Sequence, residues 1–234
     1  MDISGATALV TGANRGIGRH FVLELLERGA AKVYATARDP RAVDVPGVEV
    51  LALDVTDPAS VAAAAAAAPD VDLLVNNAGI STGTNLVTGD LDRVRLELET
   101  NFFGPLSMVR AFAPVLAANG GGAVVNVLSA LSWFSADGAT AYAAAKAAAW
   151  SLTNGVRLEL AGQGTLVTGV HLGAADTDMM RGYDLDKIDP ADVARAVLDG
   201  VQAGQWEVLV DDWSRGVKAS LAGDPAAFYG RLAG

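Results

Sequence analysis

Seven short apolar runs alternate along the chain with longer stretches whose apolar residues recur at helical spacing. The runs cover residues 6–11, 32–37, 48–53, 73–76, 123–128, 166–172 and 207–210. Most are continuously apolar, which is typical of strands covered on both faces. Because strand and helix alternate, we predict an α/β fold with a seven-stranded parallel sheet, right-handed crossovers and helices on both faces.

Two of the predicted helices begin with the same pair of residues, an aspartate followed by a proline. These are Asp57-Pro58 and Asp189-Pro190, which are typical of an N-cap and the first helical position. No linker-like stretch divides the 234 residues. We therefore expect a single domain spanning residues 1–234.

Composition and charge narrow the function classes. The net charge of −10 at pH 7 argues against nucleic acid as a partner. No cysteine is present, so disulfides and thiolate metal sites are excluded, and the two histidines show no metal-ligand spacing. No stretch has the length and apolarity of a membrane span, and no signal peptide is evident. We expect a cytoplasmic protein that binds no metal, nucleic acid or membrane.

A glycine-rich turn follows the first predicted strand and leads into a helix. Gly12, Gly16 and Gly18 lie in it, and Ile17, Phe21 and their neighbours one turn further on form an apolar helix face. Glycines let the backbone turn tightly and approach a pyrophosphate, whose charge the free amides at a helix N-terminus can bind. The alternative is an ordinary turn between strand and helix.

A tyrosine and a lysine lie four residues apart, with a serine upstream. Tyr142 and Lys146 fall on one helix face, and Ser129 precedes the tyrosine by thirteen residues. The ammonium group favours the phenolate, so Lys146 is expected to lower the pKa of Tyr142 toward the working range. Ser129 could hold a substrate oxygen. Taken alone, the pair could equally be a surface pair on a helix.

Five motifs in colinear order resemble those of the classical short-chain dehydrogenases/reductases. The turn matches T-G-x-x-x-G-x-G, and residues 76–79 match N-N-A-G. Asn101 stands where the family's catalytic asparagine is expected, Ser129 matches its serine, and Tyr142 and Lys146 match Y-x-x-x-K. The resemblance runs from about residue 6 to residue 177 and implies a single-domain doubly wound Rossmann fold. It also implies four catalytic residues, which are Asn101, Ser129, Tyr142 and Lys146.

The same resemblance implies a nicotinamide dinucleotide cofactor. Its binding residues would be Gly12, Asn14, Arg15, Gly16, Ile17, Gly18, Arg38, Asp54, Val55, Asn76, Ala78, Gly79, Tyr142, Lys146, Gly173 and Thr177. Asp54 could instead belong to the loop before a helix, and Thr177 could be the N-cap of a short helix. Leu172 stands where the family usually has proline, which leaves the path of this loop open.

The end of the second strand bears on which cofactor is bound. An acid there would accept hydrogen bonds from the adenosine ribose and favour NAD, but this chain has Ala37 followed by Arg38. Arg38 and Arg15 could bind a 2′-phosphate, so we expect NADPH. Alternatively, Arg38 is a surface arginine paired with Asp39.

Bulky apolar residues flank the catalytic positions. Leu131, Trp133 and Phe134 lie between the serine and the tyrosine, and Met179, Met180 and Tyr183 lie in a short lid expected at about residues 174–189. These six residues are expected to line the substrate pocket, with core packing as the alternative. Since no cation is obviously placed to hold a carboxylate or phosphate, we expect a small neutral ketone or aldehyde.

Together these features predict an NADPH-dependent oxidoreductase that reduces a carbonyl to an alcohol, with Tyr142 as general acid. The alternative is a nicotinamide-binding regulator that has lost catalysis. The family commonly forms oligomers through the helix that carries the tyrosine, so the resemblance implies a homodimer or homotetramer.

Overall fold

The seven apolar runs form the strands of one parallel sheet in the computed structural model, which describes residues 1–232. The strands β1 to β7 are Thr7–Val10, Lys32–Ala37, Glu49–Ala52, Leu73–Asn76, Ala123–Val127, Leu166–His171 and Glu207–Leu209. Each lies within its predicted run. The predicted seven-stranded parallel sheet is therefore confirmed.

Eight α-helices connect or follow the strands in the described residues. The helices α1 to α8 are Gly16–Glu27, Pro58–Ala67, Leu91–Leu98, Gly104–Ala118, Thr140–Leu160, Pro190–Gln202, Asp212–Ser220 and Pro225–Leu232. A π-helical turn, Glu99–Phe103, joins α3 to α4. Within residues 1–232, none of these helices combines the length and apolarity needed to cross a bilayer.

The sheet has the order β3-β2-β1-β4-β5-β6-β7. The chain moves outward from β1 to β3, then returns to pair β4 with β1 on its other side. The crossovers on either side of β1 and β4 therefore diverge, which opens a crevice at the carboxyl ends of these two strands. Ligands of doubly wound folds bind in such a crevice.

Two apolar clusters cover the two faces of the sheet. Phe21 and Leu25 of α1 and Val197 of α6 pack against one face. Met108 and Phe112 of α4, together with residues of α2 and α5, pack against the other. This placement confirms the predicted helices on both faces, and it explains why the central strands are mostly apolar.

The two predicted helix starts have the expected caps. The Asp57 carboxylate accepts a hydrogen bond from the Ala59 amide at 2.9 Å, and Asp189 accepts one from Ala191 at 2.8 Å. The segment between β6 and α6 is closed at its base, where the Ile188 amide donates to the Ala174 carbonyl at 2.8 Å. Residues 174–189 therefore form a loop with adjacent ends.

The two C-terminal helices were not predicted. The Asp211 side chain caps α7, and its other carboxylate oxygen accepts from the Gly173 amide at 2.6 Å. On α8, the Tyr229 hydroxyl accepts from the Ser135 amide at 3.0 Å. Helices α7 and α8 thus tie the chain after β7 to the loops that follow β6 and β5.

Candidate active site

The glycine-rich turn between β1 and α1 has no room for larger side chains. Gly12 and Gly16 have φ angles of 66° and 53°, a conformation that favours glycine. A Cβ atom on Gly18 would come within 2.1 Å of the Gly12 carbonyl oxygen. The side-chain amide of Asn77 donates to the Thr11 carbonyl at 2.9 Å and to Gly12 at 3.3 Å, which holds the turn from the β4 side.

The N-terminus of α1 faces this turn with its amides uncapped. Arg15 occupies the N-cap position without a side-chain cap, and the first turn contains no acidic residue. Thr177 lies against the turn, since a Cβ on Gly16 would be 3.1 Å from its methyl group. Uncapped helical amides beside a turn that excludes side chains fit a pyrophosphate, so the residues present suit the dinucleotide that the sequence predicts.

The end of β2 presents Ala37, which is buried, and Arg38, which is exposed. The pairing of Arg38 with Asp39, considered from the sequence, is not formed, because Asp39 binds Arg41 at 2.9 Å. Asp54, two residues after β3, accepts from both the amide and the hydroxyl of Thr56, at 2.9 and 2.7 Å. These bonds, and more weakly the charge of Arg38, lower the pKa of Asp54.

Arg15 pairs with a residue of the predicted lid. Its guanidinium forms an ion pair of 3.0 Å with Asp178, and both side chains are substantially exposed. Asp178 lies in the segment between β6 and α6 and also pairs with Arg181. The structure thus brings Arg15 together with the predicted lid, across the crevice, rather than with Arg38.

The proposed catalytic residues meet at the carboxyl end of β5. Ser129 lies two residues after this strand, while Tyr142 and Lys146 lie one turn apart near the N-terminus of α5. The Lys146 ammonium donates to the Val127 carbonyl at 2.8 Å and lies 5.6 Å from the centre of the Tyr142 ring. Ser129 and Lys146 are buried, and Tyr142 is partly buried.

Asn101 completes the cluster from the π-helical turn. Its side-chain amide donates to the Ile80 carbonyl at 2.9 Å, and its oxygen accepts from the Ile80 amide at 3.3 Å. A Cβ on Gly79 would be 2.8 Å from this oxygen and 3.6 Å from the Lys146 nitrogen. Asn101 and Lys146 therefore both lie close to Gly79, and a side chain at this position would displace the Asn101 oxygen.

The pKa values of the pair move in opposite directions. Burial raises the pKa of Tyr142 above its ordinary value, the charge of Glu97 raises it further, and the hydrogen bond with Ser129 opposes the change. Burial lowers the pKa of Lys146 to about 8, against the opposing effect of Glu97. The expected lowering of the Tyr142 pKa by Lys146 is not found, because burial is the largest effect on this phenol and raises its pKa.

Asn76 is engaged inside the sheet. Its side-chain amide donates to the Asn126 side chain on β5 at 2.9 Å, and Asn126 donates to Thr153 of α5 at 3.0 Å. The Thr153 hydroxyl in turn donates to the Ala149 carbonyl at 2.7 Å. The side chain of Asn76 thus joins the sheet to α5 through Asn126 and Thr153, and its contact with the cofactor stays a prediction.

Two buried residues beside the site were not singled out from the sequence. Glu97 is fully buried on α3, three residues after the buried Val94, so a carboxylate on an apolar helix face was the available signal. His171, at the end of β6, is also fully buried, and its Nδ1 lies 3.0 Å from the Ser129 carbonyl. Because a carbonyl only accepts, Nδ1 carries the proton, and burial lowers the pKa of His171 to about 4.

The six predicted pocket residues fall into two groups. Leu131, Trp133 and Phe134 line a cavity of about 200 Å³ together with Tyr229 of α8. Trp133 also stacks on His171, with ring centres 3.8 Å apart.

The second group lies apart from this cavity. Met179, Met180 and Tyr183 are not among its lining residues, and Met179 and Tyr183 are 42% and 54% exposed. A separate cavity of about 370 Å³ lies between Gly16 and Thr177 on the side of the glycine-rich turn. The described conformation therefore leaves the lid away from the Leu131 cavity.

Comparison with known proteins agrees with this architecture. Residues 6–187 match the family described as short chain dehydrogenase. The chain belongs to the short-chain dehydrogenase family. A 3-oxoacyl-[acyl-carrier-protein] reductase from Vibrio harveyi is 33% identical over 214 residues, which are 88% of this chain and 85% of the relative. The family assignment made from the motifs is thus confirmed, and the protein is an oxidoreductase of this family.

Solved structures of the family superpose closely on the chain. A short chain dehydrogenase from Burkholderia cenocepacia in complex with NADP has a TM-score of 0.95 and 40% identity, with 99% of each chain covered. A 3-ketoacyl-(acyl-carrier-protein) reductase from Brucella melitensis complexed with NADH has a TM-score of 0.83 and 26% identity, covering 89% of this chain and 98% of that one. These two relatives bind different forms of the nicotinamide dinucleotide.

Proposed function

We propose that the protein is an NADPH-dependent reductase that converts a small neutral ketone or aldehyde to an alcohol. The observation that carries the proposal is the convergence of Ser129, Tyr142 and Lys146 at the carboxyl end of β5, beside the glycine-rich turn. A proton donor and a hydrogen-bond donor for one oxygen atom are thereby available next to a dinucleotide crevice.

The cofactor would be bound along the crevice edge. Gly12, Gly16 and Gly18 would admit the pyrophosphate, with Asn14, Ile17 and the α1 amides beside it. Asp54 and Val55 would contact the adenine, and Ala78, Gly79, Gly173 and Thr177 would border the nicotinamide half. Bound there, NADPH supplies a hydride to a carbonyl carbon.

The preference for NADPH rests on Ala37 and Arg38. Ala37 has no carboxylate to bind a ribose hydroxyl, and Arg38 is exposed with no ion-pair partner within residues 1–232. The relative that binds NADP is also 40% identical to this chain. In the proposed role, Arg38 binds the 2′-phosphate, and Arg15 joins it after release from Asp178.

The side chains divide the remaining chemistry between them. Tyr142 donates a proton to the carbonyl oxygen, and the Ser129 hydroxyl donates a hydrogen bond to the same oxygen. Lys146 binds ribose hydroxyl groups and stabilises the phenolate that proton donation leaves. Asn101 positions a water molecule that returns a proton to Lys146.

The substrate would lie on the apolar side of this cluster. Leu131, Trp133 and Phe134 would border that side, and residues 174–189 would act as a lid that brings Met179, Met180 and Tyr183 toward the substrate on closing. We further propose a homodimer or homotetramer, on the family resemblance alone.

A panel of ketones and aldehydes tests the proposal directly. NADPH and NADH oxidation would be followed by cofactor absorbance, and the products would be identified by chiral chromatography. Turnover of several neutral carbonyls with NADPH is the expected result. Tight NADPH binding without turnover of any member would instead support the alternative, a cofactor-binding regulator.

A further inference from the structure

Glu97 is a buried acidic residue on α3, which packs against the helix that carries the proposed proton donor. The residue has no exposed surface, and α3 also packs against the π-helical turn. One carboxylate oxygen accepts hydrogen bonds from the Thr82 amide at 2.7 Å and the Thr82 hydroxyl at 2.5 Å. The other oxygen is buried without a hydrogen-bond partner among the described residues.

An acidic and a basic side chain, Glu97 on α3 and Lys146 on α5, are thus both buried. Lys146 is 4% exposed, and the Val127 carbonyl is the acceptor of its ammonium group. A buried charge is costly unless an opposite charge compensates it. Glu97, whose carboxylate accepts the two Thr82 hydrogen bonds, is the buried acidic side chain available to supply the charge opposite to that of the buried ammonium group.

Glu97 acts on both members of the catalytic pair. Its charge raises the pKa of Tyr142 and also that of Lys146, in each case after the larger effect of burial. The other charged side chains of α3 and its C-terminal neighbour are exposed; these are Asp92, Arg93, Arg95 and Glu99. Asp90, at the N-cap of α3, and Asp137, in the loop before α5, are also exposed.

We propose that Glu97 is a positioning residue that acts as the counter-charge of the Tyr142–Lys146 pair and retains the proton of that pair. With Glu97 ionised, Lys146 stays an ammonium group and Tyr142 stays a phenol through neutral pH. Both forms are those that proton donation to a carbonyl requires. This inference rests on the proposed carbonyl reduction and adds a determinant of its working pH.

The test replaces the charge while keeping the shape. In Glu97→Gln, the pair should lose its first proton at lower pH, by roughly one pH unit. In plots of rate against pH, the decline of carbonyl reduction at high pH and the rise of alcohol oxidation should both move by this amount. The substitution cannot change the equilibrium constant between carbonyl and alcohol, so the pH profiles of the two directions must shift together. Glu99→Gln removes the same charge from an exposed position two residues away and should shift neither profile.

A binding measurement keeps the inference independent of turnover. Cofactor fluorescence gives the NADPH affinity as a function of pH, which should fall as Lys146 loses its charge. In Glu97→Gln this fall should occur roughly one pH unit lower than in the wild type. If no carbonyl is reduced but this shift is seen, the proposed function fails while the counter-charge role stands.

A second substitution separates charge from hydrogen bonding. Glu97→Met removes the charge and the Thr82 bonds together, at similar length. If the counter-charge role is right, Gln and Met variants that fold, as judged by thermal unfolding, shift the pH profiles equally. A shift in the Met variant alone would assign Glu97 a purely structural role through Thr82. Unchanged pH profiles in both variants would overturn the proposal.

Discussion

At the scale of single residues, burial sets the proton affinities of Tyr142 and Lys146 before either meets a ligand. The phenol holds its proton more firmly than a free tyrosine does, and the ammonium group holds its own less firmly, with a pKa of about 8. At neutral pH the phenol of Tyr142 is therefore protonated. This state suits a proton donor rather than a base.

Tyr142→Phe keeps the ring and removes the proton donor. Carbonyl reduction should fall by roughly 10²- to 10⁴-fold, while NADPH binding stays nearly unchanged. Single-turnover kinetics and fluorescence titration measure the two effects. Tyr34→Phe, which removes a hydroxyl bonded to Asp70 ahead of β4, is the matched control. Retention of substantial activity in Tyr142→Phe would exclude the proposed role.

Arg38→Leu tests the preference for the cofactor. A charge-assisted bond to the 2′-phosphate contributes about 1.5–3 kcal/mol, so kcat/KM for NADPH should fall by roughly ten- to a hundredfold. The value for NADH should change little, and Ala37→Asp combined with Arg38→Leu should reverse the preference.

Arg41→Leu is the control, since this exposed arginine is paired with Asp39. Steady-state kinetics with both cofactors decide the outcome. An equal loss with NADPH and NADH in Arg38→Leu would show that Arg38 does not bind the phosphate.

At the scale of elements, sequence patterns predicted the sheet well and its surroundings less well. Continuous apolar runs locate parallel strands because both faces are buried, and each strand lies within its run. Helices α7 and α8 were missed, because their attachment depends on Asp211 and Tyr229 meeting loops distant in sequence.

In the candidate site, too, the sequence located some residues and missed others. Motifs located Ser129, Tyr142 and Lys146, but Glu97 stands in a helix whose exposed face is also charged, so spacing alone did not set it apart. The ion pair of Arg15 with Asp178 was also beyond prediction, because it crosses between elements 163 residues apart.

Asp178→Asn tests whether this ion pair competes with the cofactor. Both partners are substantially exposed, so the free energy of unfolding should change by less than about 1 kcal/mol. Release of Arg15 should instead strengthen NADPH binding severalfold, as measured by fluorescence titration.

Asp176→Asn removes a charge two residues away and serves as the control. The gain should disappear when Arg15→Leu is added to Asp178→Asn. An equal gain in the Asp176 variant would point to general repulsion of the phosphate and not to the ion pair.

At the scale of the whole molecule, one buried histidine links stability to pH. The pKa of His171 is lowered from 6.5 to about 4 by burial, so the unfolded chain binds its proton more readily than the folded one. The folded state is therefore unaffected by this group above pH 6.5 and loses stability as pH falls from there to 4. The full loss is about 3 kcal/mol.

Urea unfolding at a series of pH values measures this dependence. His171→Gln should remove most of the decline between pH 6.5 and 4, relative to the wild type. His20→Gln, at the half-buried second histidine, should leave the decline intact. If the slopes of wild type and His171→Gln coincide, carboxylates and not His171 govern the acid limb.

The hydrogen bonds from Asn76 through Asn126 to Thr153 bear on the position of helix α5 along the sheet. Around Tyr142 and Lys146 the helix surface is mostly alanine, and methyl groups of equal size offer no preferred alignment against the sheet. Advancing a helix by one residue translates it by about 1.5 Å and rotates it by about 100°. Such a slip would carry Tyr142 away from Ser129, yet it would cost the alanines little. The hydrogen bonds of Asn76, Asn126 and Thr153 form in one register of the helix only. They therefore fix the position of α5 along the sheet, at a point about two turns beyond Lys146.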